Sequence, residues 1–451
     1  MKIWAVSLGA ILLLASAAQA RNLCDILKEK GVLNDIEYNE CKAEQEKDEQ
    51  KTEKKAQEVV ATKWPKWLDM LTPFGDLRLR QEGFYENHMI ANNRTRIRAR
   101  LGLNVVPSDE VAATFRLASG NPNDPISTNQ TLDKEFTRKP FNLDWAYLAI
   151  TPSHSIGIAP GWFTILGGKF GMPNYRITEA VWDDDLSPEG ATEMVNFWDQ
   201  KEGFLRGLKL NVNQWIVDQV ANGGEPWMWG TQIVANTAFG SAATWTAAFA
   251  DYYFDKMNVV AKRALNPSSS NYNSSLANSN SVITENGQIV AYAEGFNVLN
   301  WTTDLDFANP FGIGIPAGVF GDFMYNTLAD GNNTGFWVGA GIGRAGRDYY
   351  HDSLKNVGDW GLTYTSAWVE KNALVSLFAY SDINYQQQNA EQKGATNVIA
   401  NMIRFDYLLF PNFQLTSRFN LINALDRAAS NATLVGNSTL VRMQLDAQLR
   451  F

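Results

Sequence analysis

The stretch Val441–Phe451, "VRMQLDAQLRF", sets the question for the whole chain. Val441, Met443, Leu445, Ala447, Leu449 and Phe451 are apolar, whereas Arg442, Gln444, Asp446, Gln448 and Arg450 between them are polar or charged. Side chains on a strand alternate faces with a period of two, so this is a strand with one apolar and one polar face. A soluble sandwich would bury the apolar face and wet the other. A membrane barrel would turn the apolar face to lipid and the charges inward.

The same period recurs from residue 74 onward. It predicts strands over 74–87, 93–106, 110–119, 140–151, 161–170, 191–200, 203–217, 226–239, 242–254, 289–307, 315–327, 335–345, 357–369, 395–408, 413–421 and 439–451. About sixteen antiparallel strands is a normal, even count for a single-chain outer-membrane barrel. "PSDE" (107–110), "GSA" (240–242) and "FPN" (410–412) are tight, whereas 120–139, 171–190, 255–288, 370–394 and 422–438 are long and polar. Short turns on one side and long loops on the other match a periplasmic and an outer end. The connection 346–356 is long for the short side, and "NPSSSNYNSSLANSNS" reads as a mobile outer loop. A sandwich of this length would need several domains and linkers, and none is visible. The apolar face is therefore expected to meet lipid, and the terminal Phe451 is expected to act as the outer-membrane insertion signal.

The other end of the chain agrees. "MKIWAVSLGAILLLASAAQA" (1–20) has a basic start, an apolar stretch and an Ala-x-Ala site, the pattern of a secretory signal peptide. Nothing after it approaches the ~18 apolar residues of a membrane helix, so a membrane-spanning chain must close as a barrel. Removing Lys2 with the leader takes the formal charge from -9 to -10, an acidic balance that argues against nucleic-acid binding. The 15 Trp suit interfacial girdles. Cys24 and Cys41 are expected to form a disulfide across a small periplasmic helical hairpin, with Gly31 at its turn and Asn34 and Glu37 as a capping box. The expected organisation is a leader over 1–20, the hairpin over 21–48, a charged helical spacer leading to the membrane over 49–73, and an all-β transmembrane barrel over 74–451.

In "GDLRLRQEGFY" and "NRTRIRARLGL", Leu77, Leu79, Thr95, Ile97, Ala99 and Leu101 alternate with charged residues. Arg78, Arg80, Arg94, Arg96, Arg98 and Arg100 share one face, and Arg116 continues it on the next strand. A lipid-facing arginine costs ~2–4 kcal/mol at the bilayer midplane, so this face must turn inward. It is read as a basic wall lining a pore, with pairing to acidic neighbours as the structural alternative. The acidic counterpart is "ITEAVWDDDLSPEGATE", with Glu179, Asp183, Asp184, Asp185, Glu189 and Glu193. "DDDLSPEG" lacks the spacing of a calcium loop, and neither metal nor cofactor is expected. "GRAGRDYYHDSL", with Arg344 and Arg347, reads as a solvated periplasmic connection. Among His88, His154 and His351, none has a clear nucleophile and acidic partner, so no catalysis is expected.

"NRTRIRARLGLNV", "FRLASGNPNDPISTNQTL", "KPFNLDWAYLAITP", "GGKFGMPNY", "VWDDDLSPEGA" and "WVEKNALVSLFAYSDIN" together resemble the "putative porin" family of Gram-negative outer-membrane β-barrels. The resemblance spans roughly residues 74–451 and is most specific over 74–193. It implies a water-filled barrel for passive diffusion of small polar solutes or ions, a homotrimer, and contact with outer-membrane lipid and lipopolysaccharide. By the same analogy, the acidic stretch would be a third outer loop that folds inward and faces the arginines. Apart from the resemblance, a stapled hairpin on a charged spacer is expected to touch peptidoglycan, the trimer axis or a periplasmic partner. The competing reading is a structural barrel that sheathes or tethers a partner such as an electron-transfer protein.

Overall fold

A computed structural model describes Lys28, Asn34, residues 37–39, 42–43, 65–87, 90–221, 224–344, 354–384, 394–426 and 439–451. The chain divides into two units, residues 1–69 and 70–451. In the first, the capping box forms as expected: the Glu37 N–H donates to Asn34 Oδ1 at 3.0 Å, and the Asn34 N–H donates to Glu37 Oε2 at 2.9 Å. Helix follows through residues 37–39. The leader, Cys24 and Cys41 lie outside the described residues.

The second unit is a closed barrel of sixteen antiparallel strands. The first eight are β1 (Leu71–Tyr85), β2 (Asn92–Val105), β3 (Val111–Ser119), β4 (Phe141–Ile150), β5 (Phe163–Lys169), β6 (Glu189–Asp199), β7 (Leu205–Ile216) and β8 (Trp227–Phe239). The second eight are β9 (Ala243–Asp255), β10 (Phe296–Phe307), β11 (Ala317–Asn326), β12 (Thr334–Ile342), β13 (Trp360–Val369), β14 (Val398–Phe410), β15 (Phe413–Ala424) and β16 (Leu440–Arg450). Each pairs with its neighbour in sequence, and β16 closes on β1 with Arg80 opposite Asp446. The terminal residue takes part in the seam, since the Phe451 N–H donates to Gly75 O at 3.1 Å and its carbonyl accepts from Gly75 N at 2.9 Å.

Every expected strand has a counterpart. The tenth is shortened: Gln288–Tyr292 splits away and pairs with Val282–Glu285 in a separate hairpin. A two-residue strand at Gln130–Thr131 adds to β2 from within the second outer loop.

Burial answers the question set by the last strand. Leu445 is 60% exposed and Asp446 only 5%; Leu77 and Leu79 are exposed, while Arg78 and Arg80 are buried. The barrel is apolar outside and polar within. A one-residue slip would put every buried charge on the outer face, so the pattern fixes the register strongly. No helix among the described residues is long and apolar enough to cross a membrane, and closed pairing of the strands satisfies the backbone instead.

Several outer connections pack inward, among them the third, the fifth and the seventh. The third, 170–188, joins β5 to β6. At its root Gly168 and Gly190 lie opposite each other at φ +127° and +138°. A Cβ at either position would meet a neighbouring strand's carbonyl oxygen, at 2.3 Å from Ala146 O or 2.1 Å from Gln214 O. The seventh, 370–397, carries short 3-10 turns at Ser376–Phe378 and Ser381–Ile383.

The fifth, 256–295, contains the Ser/Asn-rich stretch and corrects the reading of a mobile loop. Ser279 and Asn280 are buried. Asn280 Nδ2 donates to the carbonyls of Leu374 and Lys371, and the Ser279 N–H donates to Ser376 Oγ. Short polar side chains here serve the backbone of the seventh loop rather than solvent.

Candidate functional site

The strand period that makes the outer face apolar puts the charges of β1, β2 and β16 on one inner surface. Register then sets Arg78 opposite Arg98 and Arg80 opposite Arg96, with Asp76 opposite Arg100 and Glu82 opposite Arg94. Facing arginines repel, so the wall holds only because carboxylates lie between them. Asp76 accepts from Arg98 Nε at 3.0 Å and from Arg100 Nε at 2.6 Å. Glu82 accepts from Arg94 and Arg442. Asp446 takes a bidentate pair from Arg80 at 2.7 and 2.8 Å, and a third bond from Arg418 at 2.7 Å. Arg116 pairs with Asp144 at 2.5 Å and lies 3.3 Å from the Trp145 ring centroid.

The third outer loop crosses from the far wall to this one. On the far side, the Tyr175 N–H donates to Gln232 Oε1 at 2.7 Å, and Thr178 Oγ1 donates to Asp322 Oδ2 at 2.6 Å. Trp182 is the apolar anchor, with ring centroids 5.1 Å from Tyr252, 5.3 Å from Trp215 and 6.3 Å from Phe378. On the near side, Asp185 Oδ1 lies 3.7 Å from Arg98 and 3.6 Å from Arg100, and accepts from Thr128 Oγ1 at 2.9 Å. Burial pushes the Asp185 carboxyl up, but Arg98 and Arg100 outweigh it and hold the group at about 2.

Asp183 has no such neighbour, and Glu179 has only Arg176 to offset its burial in part. Burial pushes both well above the ordinary carboxylate range, with nearby carboxylates adding to the shift. Asp183 accepts from the backbone N–H of Asp185 at 2.8 Å and of Ser381 at 2.9 Å, which ties the third loop to the seventh. Asp184 pairs with Arg176 of its own loop at 2.5 Å.

Two of the expected loop acids lie elsewhere. Strand β6 begins at Glu189, so Glu189 and Glu193 belong to the wall. Glu189 is exposed beside Lys169 Nζ at 2.7 Å. Glu193 lies on the face opposite the buried Thr192 and accepts from Gln214 Nε2 at 3.1 Å. The reading of "GRAGRDYYHDSL" as solvated also needs correction. Arg344 is buried, 2.5 Å from Asp406, which Arg404 bonds as well. The strand β12 stops at Ile342, but its inward side continues for one more residue pair. Arg347, His351 and His88 lie outside the described residues. His154 is exposed, near Asp109 and Glu110.

The main surprise is Asp382 of the seventh loop, which reaches Arg80 at 3.2 Å and Arg442 at 2.7 Å. Burial opposes its charge, but Arg442, Arg80 and Arg418 hold the carboxyl well below its usual range. No strand period marks it, since it stands in irregular backbone. Arg442, Asp446, Arg404 and Arg418 were available to sequence reading, because each stands at an inward position of an alternating strand. Arg404, Arg418, Asp382, inward arginines of β1–β3 and the loop acids surround a cavity of about 480 Å³, lined on another side by Trp145, Tyr147, Leu166, Phe170 and Met172.

A family model described as "Putative porin" matches residues 84–281. No curated protein matches the chain in sequence. Among solved structures, OprB of Pseudomonas putida, in its high-pH form, has a TM-score of 0.50 at 10% identity, covering 85% of this chain and 95% of OprB. The outer membrane channel DcaP of Acinetobacter baumannii has a TM-score of 0.44 at 12% identity, over 84% of this chain and 97% of DcaP. OmpF of Salmonella typhi in complex with daunomycin gives 0.45 at 9%, over 84% and 97%. Identities this low speak to fold alone, and the OprB likeness carries that point. Residues 84–281 thus match the "Putative porin" family model, and the sixteen-stranded barrel has the fold of the outer-membrane protein OprB.

Proposed function

We propose that the barrel is a passive, water-filled channel for small polar or ionic solutes. Its narrowest part would lie between the arginine wall of β1–β3 and Asp183, Asp184 and Asp185 of the third loop. The observation that supports this reading best is the approach of Asp185 to Arg98 and Arg100 from a loop otherwise anchored on β8 and β11. Opposed charges across a gap form a transverse field that orients polar solutes and slows apolar ones. The inward loops also bear on the sheath alternative. A bore crossed by the third and seventh loops, with a cavity of about 480 Å³ beside them, suits a small molecule and leaves little room for a protein partner.

The proposal extends to a homotrimer in lipid and lipopolysaccharide, and to a periplasmic role for the N-terminal unit. The test is single-channel recording of the refolded protein in a planar bilayer, with the reversal potential under a salt gradient. Steady open currents are expected. A folded barrel that passes none would overturn the channel reading and favour the sheath.

A further inference from the structure

The charge balance of the interior is uneven. Among the described residues, ten arginines (78, 80, 94, 96, 98, 100, 344, 404, 418 and 442) share six carboxylates within 4 Å. Of those that line the cavity, Arg78 is the least well served. Its closest carboxylate, Asp446, stands 3.9 Å away and already takes two bonds from Arg80 and one from Arg418. Arg78 Nη2 donates to Asn129 Oδ1 at 2.7 Å, while its Nε has no partner, although the residue is 6% exposed. A buried cation with so little compensation is unfavourable unless an anion completes its shell.

Different chemistry lines the same cavity. Trp145 and Tyr147 meet edge-on at 6.5 Å, and Tyr147 and Phe170 at 6.2 Å, with Leu166 and Met172 beside them. The space is thus basic on one side and aromatic and aliphatic on another. We propose that it is a binding site for a small organic monocarboxylate with an apolar body, its carboxylate turned to Arg78 and its body against Tyr147 and Leu166. One underserved guanidinium suits one carboxylate, and the third-loop acids on the cavity's edge disfavour a dianion. An inorganic oxyanion would leave the apolar wall unused. The site deepens the channel reading, on which it depends only for how the solute arrives.

Isothermal titration of the refolded protein in detergent, using benzoate, benzamide, acetate and phosphate, tests the site without requiring conduction. Benzoate is expected to bind about tenfold or more tightly than benzamide, which lacks the charge, and than acetate, which lacks the body. Arg78→Gln should bring benzoate down to the level of benzamide. Equal binding of benzoate and benzamide, or of benzoate with acetate or phosphate, overturns the proposal, as does an unchanged benzoate affinity in folded Arg78→Gln. Should that variant fail to fold, the ligand series decides alone. A protein that conducts but does not prefer benzoate loses the site and keeps the channel; one that binds benzoate but passes no current keeps the site and loses the channel.

Discussion

Trp182 is the residue whose removal should speak most directly about the third loop. It is buried between Trp215 of β7, Tyr252 and Phe254 of β9, and Phe378 of the seventh loop. Truncating a buried tryptophan to alanine costs ~3–5 kcal/mol, and the edge-on pairs with Trp215 and Tyr252 are part of that sum. The polar anchors survive Trp182→Ala. Arg176 still donates to the residue-182 carbonyl, and the Asp183 N–H still donates to Phe378 O. The barrel also survives, because backbone bonds of the strands close it. The loss therefore falls on docking of the loop, and at 1.4 kcal/mol per decade the docked-to-released ratio should drop by roughly 10²–10³ or more. In planar bilayers the variant should show larger unitary conductance and a noisier open level, with normal heat-modifiable mobility on gels. Trp182→Phe should restore most of the quiet behaviour, since its ring refills much of the space. A folded Trp182→Ala barrel with the conductance and noise of the parent would refute the claim that this loop, held by this side chain, sets the path.

Three further outcomes are expected. Replacing Arg98 and Arg100 together by glutamine leaves Asp185 and Asp76 without their main partners, so the reversal potential under a salt gradient should move towards cation preference; no movement would place these residues away from the narrowest point. Raising the pH should loosen the third loop. Glu179 and Asp183 bind their protons more tightly docked than released, so docking is strongest below the ordinary carboxylate range and weakens as pH rises through it towards their elevated values. Open-channel noise should grow over that window, and Glu179→Gln with Asp183→Asn should remove the growth. Leu445→Arg should cost ~2–4 kcal/mol in urea unfolding from vesicles, because Leu445 is on the outer face; a loss well under 1 kcal/mol would mean that this position does not meet lipid.

Period-two alternation made the barrel legible because only one face of each strand can tolerate charge in a membrane. Leu77, Leu79, Met443 and Leu445 had to be outside once Arg78, Arg80, Arg442 and Asp446 were given an inside. The arginine wall followed from the same rule. Loop docking did not, because it rests on contacts between residues far apart in sequence and in irregular backbone. Asp382 meets Arg80 across 302 positions, and Ser381 meets Asp183 across 198. Composition misled where polar residues are satisfied by protein. Ser279, Asn280 and Arg344 look solvated as letters, yet each is buried on a specific partner.

On the channel reading, the two roles of the arginine wall, rigid pairing and solute contact, are compatible once the sharing of acids is followed. If each arginine had its own carboxylate, the wall would be stiff and electrically quiet. Asp446 instead serves Arg80, Arg418 and, at longer range, Arg78; Asp76 serves Arg98 and Arg100. Sharing fixes the guanidinium planes, because a carboxylate with several donors leaves little rotational freedom to any of them. It also leaves net positive charge on the inner surface, since one carboxylate cannot neutralise two or three cations. The third loop adjusts that surplus. Asp185 lowers it at Arg98 and Arg100, whereas burial pushes the carboxyls of Glu179 and Asp183 up, so that they take on charge less readily. A loop carrying a run of three aspartates thus removes less positive charge from the wall than its sequence implies. Arg78, with no loop acid within 4 Å and last in line for Asp446, is the cavity-lining arginine of this network with the least compensation.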